Sequence, residues 1–200
     1  MATRRAETSR ESRRLLVEAA SGLFAEKGYR QTTVADVADR SGISRGSIPW
    51  HFGDKEGLLL AVIEHTFLEM TQSFSERHPA GPDGLAELME QAEAFARVPT
   101  TRLLVSLLAD AVEPGSPIHH RYAELHATMR RIFTAWAAQP HVAVRLPDGA
   151  TPEDFGLVTL SAAVGIYQQW RMAPEGVDLA HAFGALRLFL TAAVSPAGSR

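Results

Sequence analysis

Apolar residues return every three or four positions along almost the whole chain, and no convincing stretch alternates apolar with polar residues at period two. This feature narrows the fold more than any other. It predicts an all-α protein whose helices each bury one face. Leu15, Leu16, Ala19, Ala20, Leu23 and Phe24 share a face of a first helix expected at about 10–27, and Gly28 suits the left-handed residue that ends it. Two short helices follow, Thr33–Arg40 and Ser44–Phe52, around a turn at Ser41–Ile43 that Gly42 allows to be tight. Thr33 and Ser44 are N-cap candidates, and Asp36 stands where a capping box usually carries Glu or Gln. Asp54 is placed to cap a long helix from Lys55 to about Arg77, with Leu58, Leu59, Val62, Ile63, Phe67, Met70 and Phe74 apolar. A breaker at His78–Gly84 separates it from helices expected at about 84–97, 100–112, 118–138, 153–171 and 178–194. His141–Leu146 has strand-like composition but no partner run, so it reads as loop.

The absence of cysteine removes disulfides, thiolate metal sites and cysteine nucleophiles, and fits a reducing compartment. No apolar run reaches membrane-spanning length, and the charged N-terminus leads into no apolar stretch of secretory type. A cytoplasmic protein without membrane contact is expected. The net charge of −3 argues against nucleic acid when taken whole, but it conceals an asymmetry. Residues 1–55 carry ten Lys/Arg against seven Asp/Glu, whereas the remainder carries ten against sixteen. Arg4, Arg5, Arg10, Arg13 and Arg14 crowd the N-terminal end. A small basic module on an acidic body can still bind phosphates; the same arginines also fit a solvated, frayed tail.

Short helix, glycine-containing turn, short helix is the helix-turn-helix pattern. Its second helix opens with Ser44, Arg45, Gly46 and Ser47, small or cationic residues that let a backbone approach a major groove. Arg45 can fork onto a guanine edge or hold a phosphate, and hydroxyls, helix N-termini and Lys55 can fix the register on phosphates. The series Phe24, Gly28, Thr33, Val37-Ala38, Gly42-Ile43-Ser44, Gly46-Ser47-Ile48, His51-Phe52 and Lys55-Glu56 resembles the N-terminal domain of the TetR family of bacterial transcriptional regulators over about residues 13–62. Beyond that stretch the likeness is one of helical layout alone.

The resemblance implies a three-helix DNA-binding domain at residues 1–53 and a helical effector-binding and dimerisation domain at 54–200. It implies phosphate contacts by Thr33, Trp50, His51 and Lys55, base contacts by Arg45 and Ser47, and anchoring of the short helix by Ile48 and Phe52. Trp50 also fits the small core, as large aromatics usually do. The arginine-rich arm either enters the adjacent minor groove or is a tail. Where the family usually carries a phosphate-touching tyrosine, this chain carries Pro49. Proline inside a helix costs on the order of 3 kcal/mol. Two readings stand: Pro49 fixes a tight ending that aims Trp50 and His51 at the sugar-phosphate backbone, or it is tolerated on an exposed edge.

One reading head makes few contacts, so a homodimer on a palindromic double-stranded operator is expected, joined through the last two helices at about 153–194. Leu157, Leu160, Val164 and Tyr167 on one helix and Leu179, Phe183, Leu186 and Leu190 on the next supply candidate seams, with Gly156, Gly165 and Gly184 permitting close approach; the same faces also suit the subunit's own core. The family's effector pocket would draw on Phe67, Met70, Phe74, Phe95, Leu103, Leu107, Tyr122, His126, Met129, Phe133 and Trp136, with Arg102, His126 and Gln168 as orienting polar groups. Release would follow from a ligand favouring wrongly spaced reading heads, with the helix at 55–77 as lever. No cofactor or metal is called for, since His119 and His126 stand two helical turns apart. A helical enzyme, or a small-molecule-binding protein without operator specificity, is the competing reading. A DNA-packaging role would need a more basic body.

Overall fold

The computed structural model describes residues 2–75, 83–143 and 146–194. Among these there is no β-strand, and the helices are α1 (Ala2–Lys27), α2 (Val34–Ser41), α3 (Ser47–Phe52), α4 (Lys55–Ser75), α5 (Gly84–Ala96), α6 (Pro99–Ser106), α7 (Leu108–Ala111), α8 (His119–Ala137), α9 (Pro140–Ala143), α10 (Pro152–Met172) and α11 (Leu179–Ala193). The all-α expectation holds, with differences that have local causes. Helix α1 starts at Ala2 rather than near residue 10. No Gly or Pro interrupts that segment, and Arg14 links to Glu11 and Glu18 on adjacent turns. The helix expected at 100–112 breaks at Leu107, and the start of the expected loop at His141–Leu146 is the single helical turn α9, which buries Val142. Residues 76–82, where α4 was expected to end, lie outside the described residues.

The contacts divide the chain into two compact units. The first takes residues up to Glu69 together with Val98–Arg121. In it α1 packs on α2, α3 and α6, and Leu16, Phe24, Val37, Ile48, Leu58, Val62 and Ile63 are sealed from solvent. Arg40 makes a two-pronged pair with Glu26 at 2.8 Å on each prong, clamping α2 to α1. Buried Thr32 donates its hydroxyl to the Gly28 carbonyl at 2.9 Å, closing the end of α1 without stranding a polar group.

The second unit takes Met70–Arg97 and the residues from Tyr122 onward. Helix α11 packs on α5 and α10, and the Trp136 and Phe155 rings sit 5.4 Å apart. Thr151 and Asp154 form a reciprocal capping box at the head of α10, with Pro152 at its first position. Most of the expected seam residues are core here. Leu179, Phe183, Leu186, Leu190 and Tyr167 are buried within the subunit, because that face of α11 meets α5 and α10. The large apolar side chains these helices do expose are Leu157, Val158, Met172, Leu188 and Phe189. No helix among the described residues is long and apolar enough to cross a membrane.

Candidate nucleic-acid interface

Helix α2 begins where the sequence places it. Thr33 and Asp36 close a capping box, the Asp36 amide donating to Thr33 Oγ1 at 3.1 Å and the Thr33 amide to Asp36 Oδ2 at 2.7 Å. Lys27 Nζ lies 2.9 Å from the same carboxylate. The lysine and the two Thr33 groups hold the Asp36 carboxyl well below the usual carboxylate range. The Thr33 hydroxyl proton is therefore committed to Asp36, at 2.8 Å. A phosphate at this helix end would meet backbone N–H groups sooner than that hydroxyl.

Gly42 ends α2 at φ 69°, a left-handed angle that glycine adopts without a Cβ clash. Helix α3 then starts at Ser47, not Ser44, and its N-cap is Gly46, with no side-chain cap. Ser44 and Arg45 form a tight turn: their carbonyls accept from the Ser47 amide at 3.0 Å and the Ile48 amide at 3.3 Å. The Ser44 and Ser47 hydroxyls stand 3.0 Å apart. This start position bears on the helical penalty expected at Pro49. Pro49 is the third residue of α3, within the turn whose backbone donors have no partner in the helix. No helical hydrogen bond is lost, and the interior penalty does not apply. Its carbonyl accepts from Gly53 at 3.0 Å and ends the helix.

Of the α3 side chains, Ile48 is 1% exposed and pins the helix to the core, whereas Trp50 is 71% exposed. The alternative of Trp50 as a core residue is overturned: it stands two positions after Ile48, a step that carries a side chain to the opposite side of a helix. Ser44, Arg45, Gly46 and Pro49 are also exposed, and the Arg45 guanidinium makes no hydrogen bond or ion pair among the described residues. His51 is half-buried with its ring 4.3 Å from that of Trp50; burial, and then the charge of Arg13, hold its pKa below the ordinary imidazole value. The Arg13 guanidinium lies over the Phe52 ring at 5.3 Å. The Lys55 ammonium sits over the Tyr29 ring at 4.3 Å, and burial lowers its pKa.

These placements expose contributors that the sequence reading passed over. Arg13 brings α1 to the end of α3, and Tyr29 holds Lys55. Gly57 is the least forgiving: a Cβ there would fall 1.9 Å from the Phe52 carbonyl oxygen, so the head of α4 presses directly on the tail of α3. Asp54 caps this junction, its carboxylate accepting from the Gly57 amide at 2.8 Å. The glycine's place three residues after the capping Asp54 was the available signal.

The expected pocket residues differ in exposure and fall in both units. Met70, Phe74, Tyr122, Met129, Phe133 and Trp136 are buried core, Phe67 is half-buried, and Arg102 is exposed on α6 in the first unit. Only His126 and Gln168 line the cavity that lies between α8 and α10 in the second unit, beside Arg130, Leu160, Ser161 and Val164. His119, weighed as a metal ligand, has its ring Nδ1 2.8 Å from the Ala111 carbonyl.

Residues 16–62 match the family model described as bacterial regulatory proteins, tetR family. The transcriptional regulator TtgR of Pseudomonas putida is 23% identical over 187 residues, spanning 90% of this chain and 89% of TtgR. The transcriptional repressor AcnR of Corynebacterium efficiens is 41% identical over 78 residues, 39% of this chain and 38% of AcnR. SmeT, the repressor of the Stenotrophomonas maltophilia multidrug efflux pump SmeDEF, shares the fold. In its complex with triclosan it aligns at a TM-score of 0.74 and 19% identity over 94% of this chain and 93% of that one.

Proposed function

The chain belongs to the TetR family and is a DNA-binding transcriptional regulator, not an enzyme, and from that premise we propose that it is a ligand-responsive repressor gripping a palindromic operator as a homodimer. The observation that carries this reading is the division of labour along α3 and the turn that leads into it. Ile48 is locked inward while Arg45, Pro49 and Trp50 face solvent with no protein partner to satisfy Arg45. In this reading Arg45 and Ser47 touch base edges. Ser44, the Gly46 backbone, Trp50, His51, Lys55 and the head of α2 at Thr33 hold the phosphates. Pro49 ends α3 tightly where the family's tyrosine would reach a phosphate. Residues 1–53 form the reading domain and 54–200 the effector-binding and dimerisation domain.

The repressor names of AcnR and SmeT support repression as the output, and the triclosan complex of SmeT supports a small-molecule effector. The dimer would form on the solvent sides of α10 and α11, where Val158, Leu188 and Phe189 are exposed and Gly184 offers open space for close approach. The test is binding of the whole chain to palindromes from the DNA flanking its gene, in the presence of random competitor, alongside sizing in solution. Two chains per duplex and at least a thousandfold preference over random DNA are expected, within the usual specificity range of about 10³–10⁷. Leu188→Arg should leave a monomer that no longer holds the palindrome. Equal binding to every duplex at low salt would sink the reading.

A further inference from the structure

Helices α8 and α10 meet at one close point and then leave room between them. At Gly156 a Cβ would lie 2.3 Å from Thr134 Oγ1 and 2.8 Å from the Arg130 carbonyl, so only glycine lets α10 press on α8 there. Further along α10 the two helices frame a cavity of ≈ 280 Å³, to which α8 contributes His126 and Arg130, and α10 contributes Leu160, Ser161, Val164 and Gln168. A Cβ added at Gly165, also on its wall, meets nothing within 4 Å. The space equals about nine water molecules at ~30 Å³ each. It lies just below the size range of sites for drug-sized ligands, so the occupant it fits is small.

The chemistry of the walls is one-sided. Leu160 and Val164 give an apolar surface. Opposite it, the Arg130 guanidinium makes no hydrogen bond and no ion pair among the described residues, although Glu–Arg pairs are found elsewhere on the chain. Its charge reaches His126, where burial first and Arg130 second hold the imidazole pKa below its ordinary value. The His126 ring also lies nearly parallel to that of Tyr122, at 6.4 Å, which orients it. Arg130 is half-buried in a groove that opens to solvent, and its guanidinium offers the fork that a carboxylate accepts in two-pronged fashion. Ser161 and Gln168 add neutral donors, and no carboxylate lines the space to attract a cationic ligand.

We propose that the α8/α10 cavity binds a small amphipathic organic anion, an aryl or short alkyl carboxylate, with its carboxylate on Arg130 and its apolar body against Leu160 and Val164. The proposal rests on the reading of this unit as effector-binding, and it names the chemical class of the effector.

The test titrates the full-length protein with benzoate and 3-phenylpropionate, and with benzyl alcohol and benzylamine as neutral and cationic counterparts, by calorimetry and by the shift in melting temperature. Saturable binding of one carboxylate per chain is expected, with the alcohol and the amine at least tenfold weaker. Arg130→Gln should weaken the carboxylate at least tenfold, with Arg130→Lys recovering part of the loss. Gly165→Leu fills open space rather than protein, so it should fold normally and lose binding. Unaltered affinity in Arg130→Gln, equal binding of the alcohol, or no carboxylate binding at all would overturn the proposal. So would a change of oligomeric state in Arg130→Gln without change in benzoate affinity, which would assign the cavity to a seam between copies. A parallel operator-release assay separates this proposal from the broader reading. Carboxylate binding that depends on Arg130 but leaves operator affinity unchanged keeps the site and removes its effector role. Release by some other compound, with no carboxylate binding, does the reverse.

Discussion

The reading head and the α8/α10 cavity differ in what they leave unsatisfied. Around α2 and α3 nearly every polar group is spoken for: Thr33, Asp36 and Lys27 form one network, and Glu26 with Arg40 another. Arg45 and the flanks of Trp50 point into open solvent. In the second unit Arg130, whose guanidinium has no hydrogen bond or ion pair among the described residues, lines a recess of small volume. Unpaired charge on an outer surface suits a partner as large as a duplex, because such a partner supplies many phosphates at once. Unpaired charge in a recess suits a small molecule that can enter and pair it. Close-approach glycines build both places, Gly57 seating α3 on α4 and Gly156 seating α10 on α8.

The contrast breaks most severely at Gly57. Gly57→Ala puts a Cβ against the Phe52 carbonyl and must push α3 off its seat. We expect a stability loss of about 3 kcal/mol, at the upper end of overpacking effects, and operator affinity down by about a hundredfold. Thermal melts and fluorescence anisotropy read both, and wild-type behaviour in either would contradict the close seat. Arg45→Ala should leave the melt unchanged and cost about 1–3 kcal/mol of operator affinity, with relaxed preference at one base position. A uniform loss across all sequences would instead make Arg45 a phosphate contact.

Acid should separate the networks next. His51 and His126 have lowered folded pKa values, so the unfolded chain takes up protons first as pH falls below about 6.5. Their neutral forms stabilise the fold above that pH, and the contribution is lost as pH falls toward the folded values. Asp36 and Asp154 are lowered by their capping partners, so their contribution is present above about pH 3.9 and is lost on further acidification. The melting temperature should be level from pH 8 to about 7, decline gently below about 6.5 and fall more steeply below about 4. Asp36→Asn should flatten only the last limb. The smallest effect is expected at Pro49. Because no helical bond is missing there, Pro49→Tyr should shift stability by less than about 0.5 kcal/mol. It should also increase the salt slope of operator binding by about one, from a restored phosphate contact. An unchanged slope would mean that α3 does not bring this position to the backbone of the duplex.

Legibility followed the range of the forces involved. The turn at Gly42, the capping box of Thr33 and Asp36, the cap at Asp54 and the inward face of Ile48 are decided within a few residues, so they were readable. The start of α3 was misplaced by three residues, because Ser44 resembles a cap yet spends its carbonyl and hydroxyl on a tight turn with Ser47. The cavity was scarcely readable: Phe133 and Trp136 look like pocket residues by type, but their faces meet the core, and Arg130 looks like any surface arginine.

Periodicity, caps and the ordered helix-turn-helix series were enough to determine an all-helical fold and to single out the short helix proposed to read DNA, because i to i+4 spacing and N-cap chemistry act within one element. Which face of α11 is core, where α8 and α10 touch, and which cation is left without a partner were decided only when helices distant in sequence packed. Those outcomes depend on distances such as the 2.3 Å between a Cβ at Gly156 and Thr134 Oγ1, which no local pattern encodes.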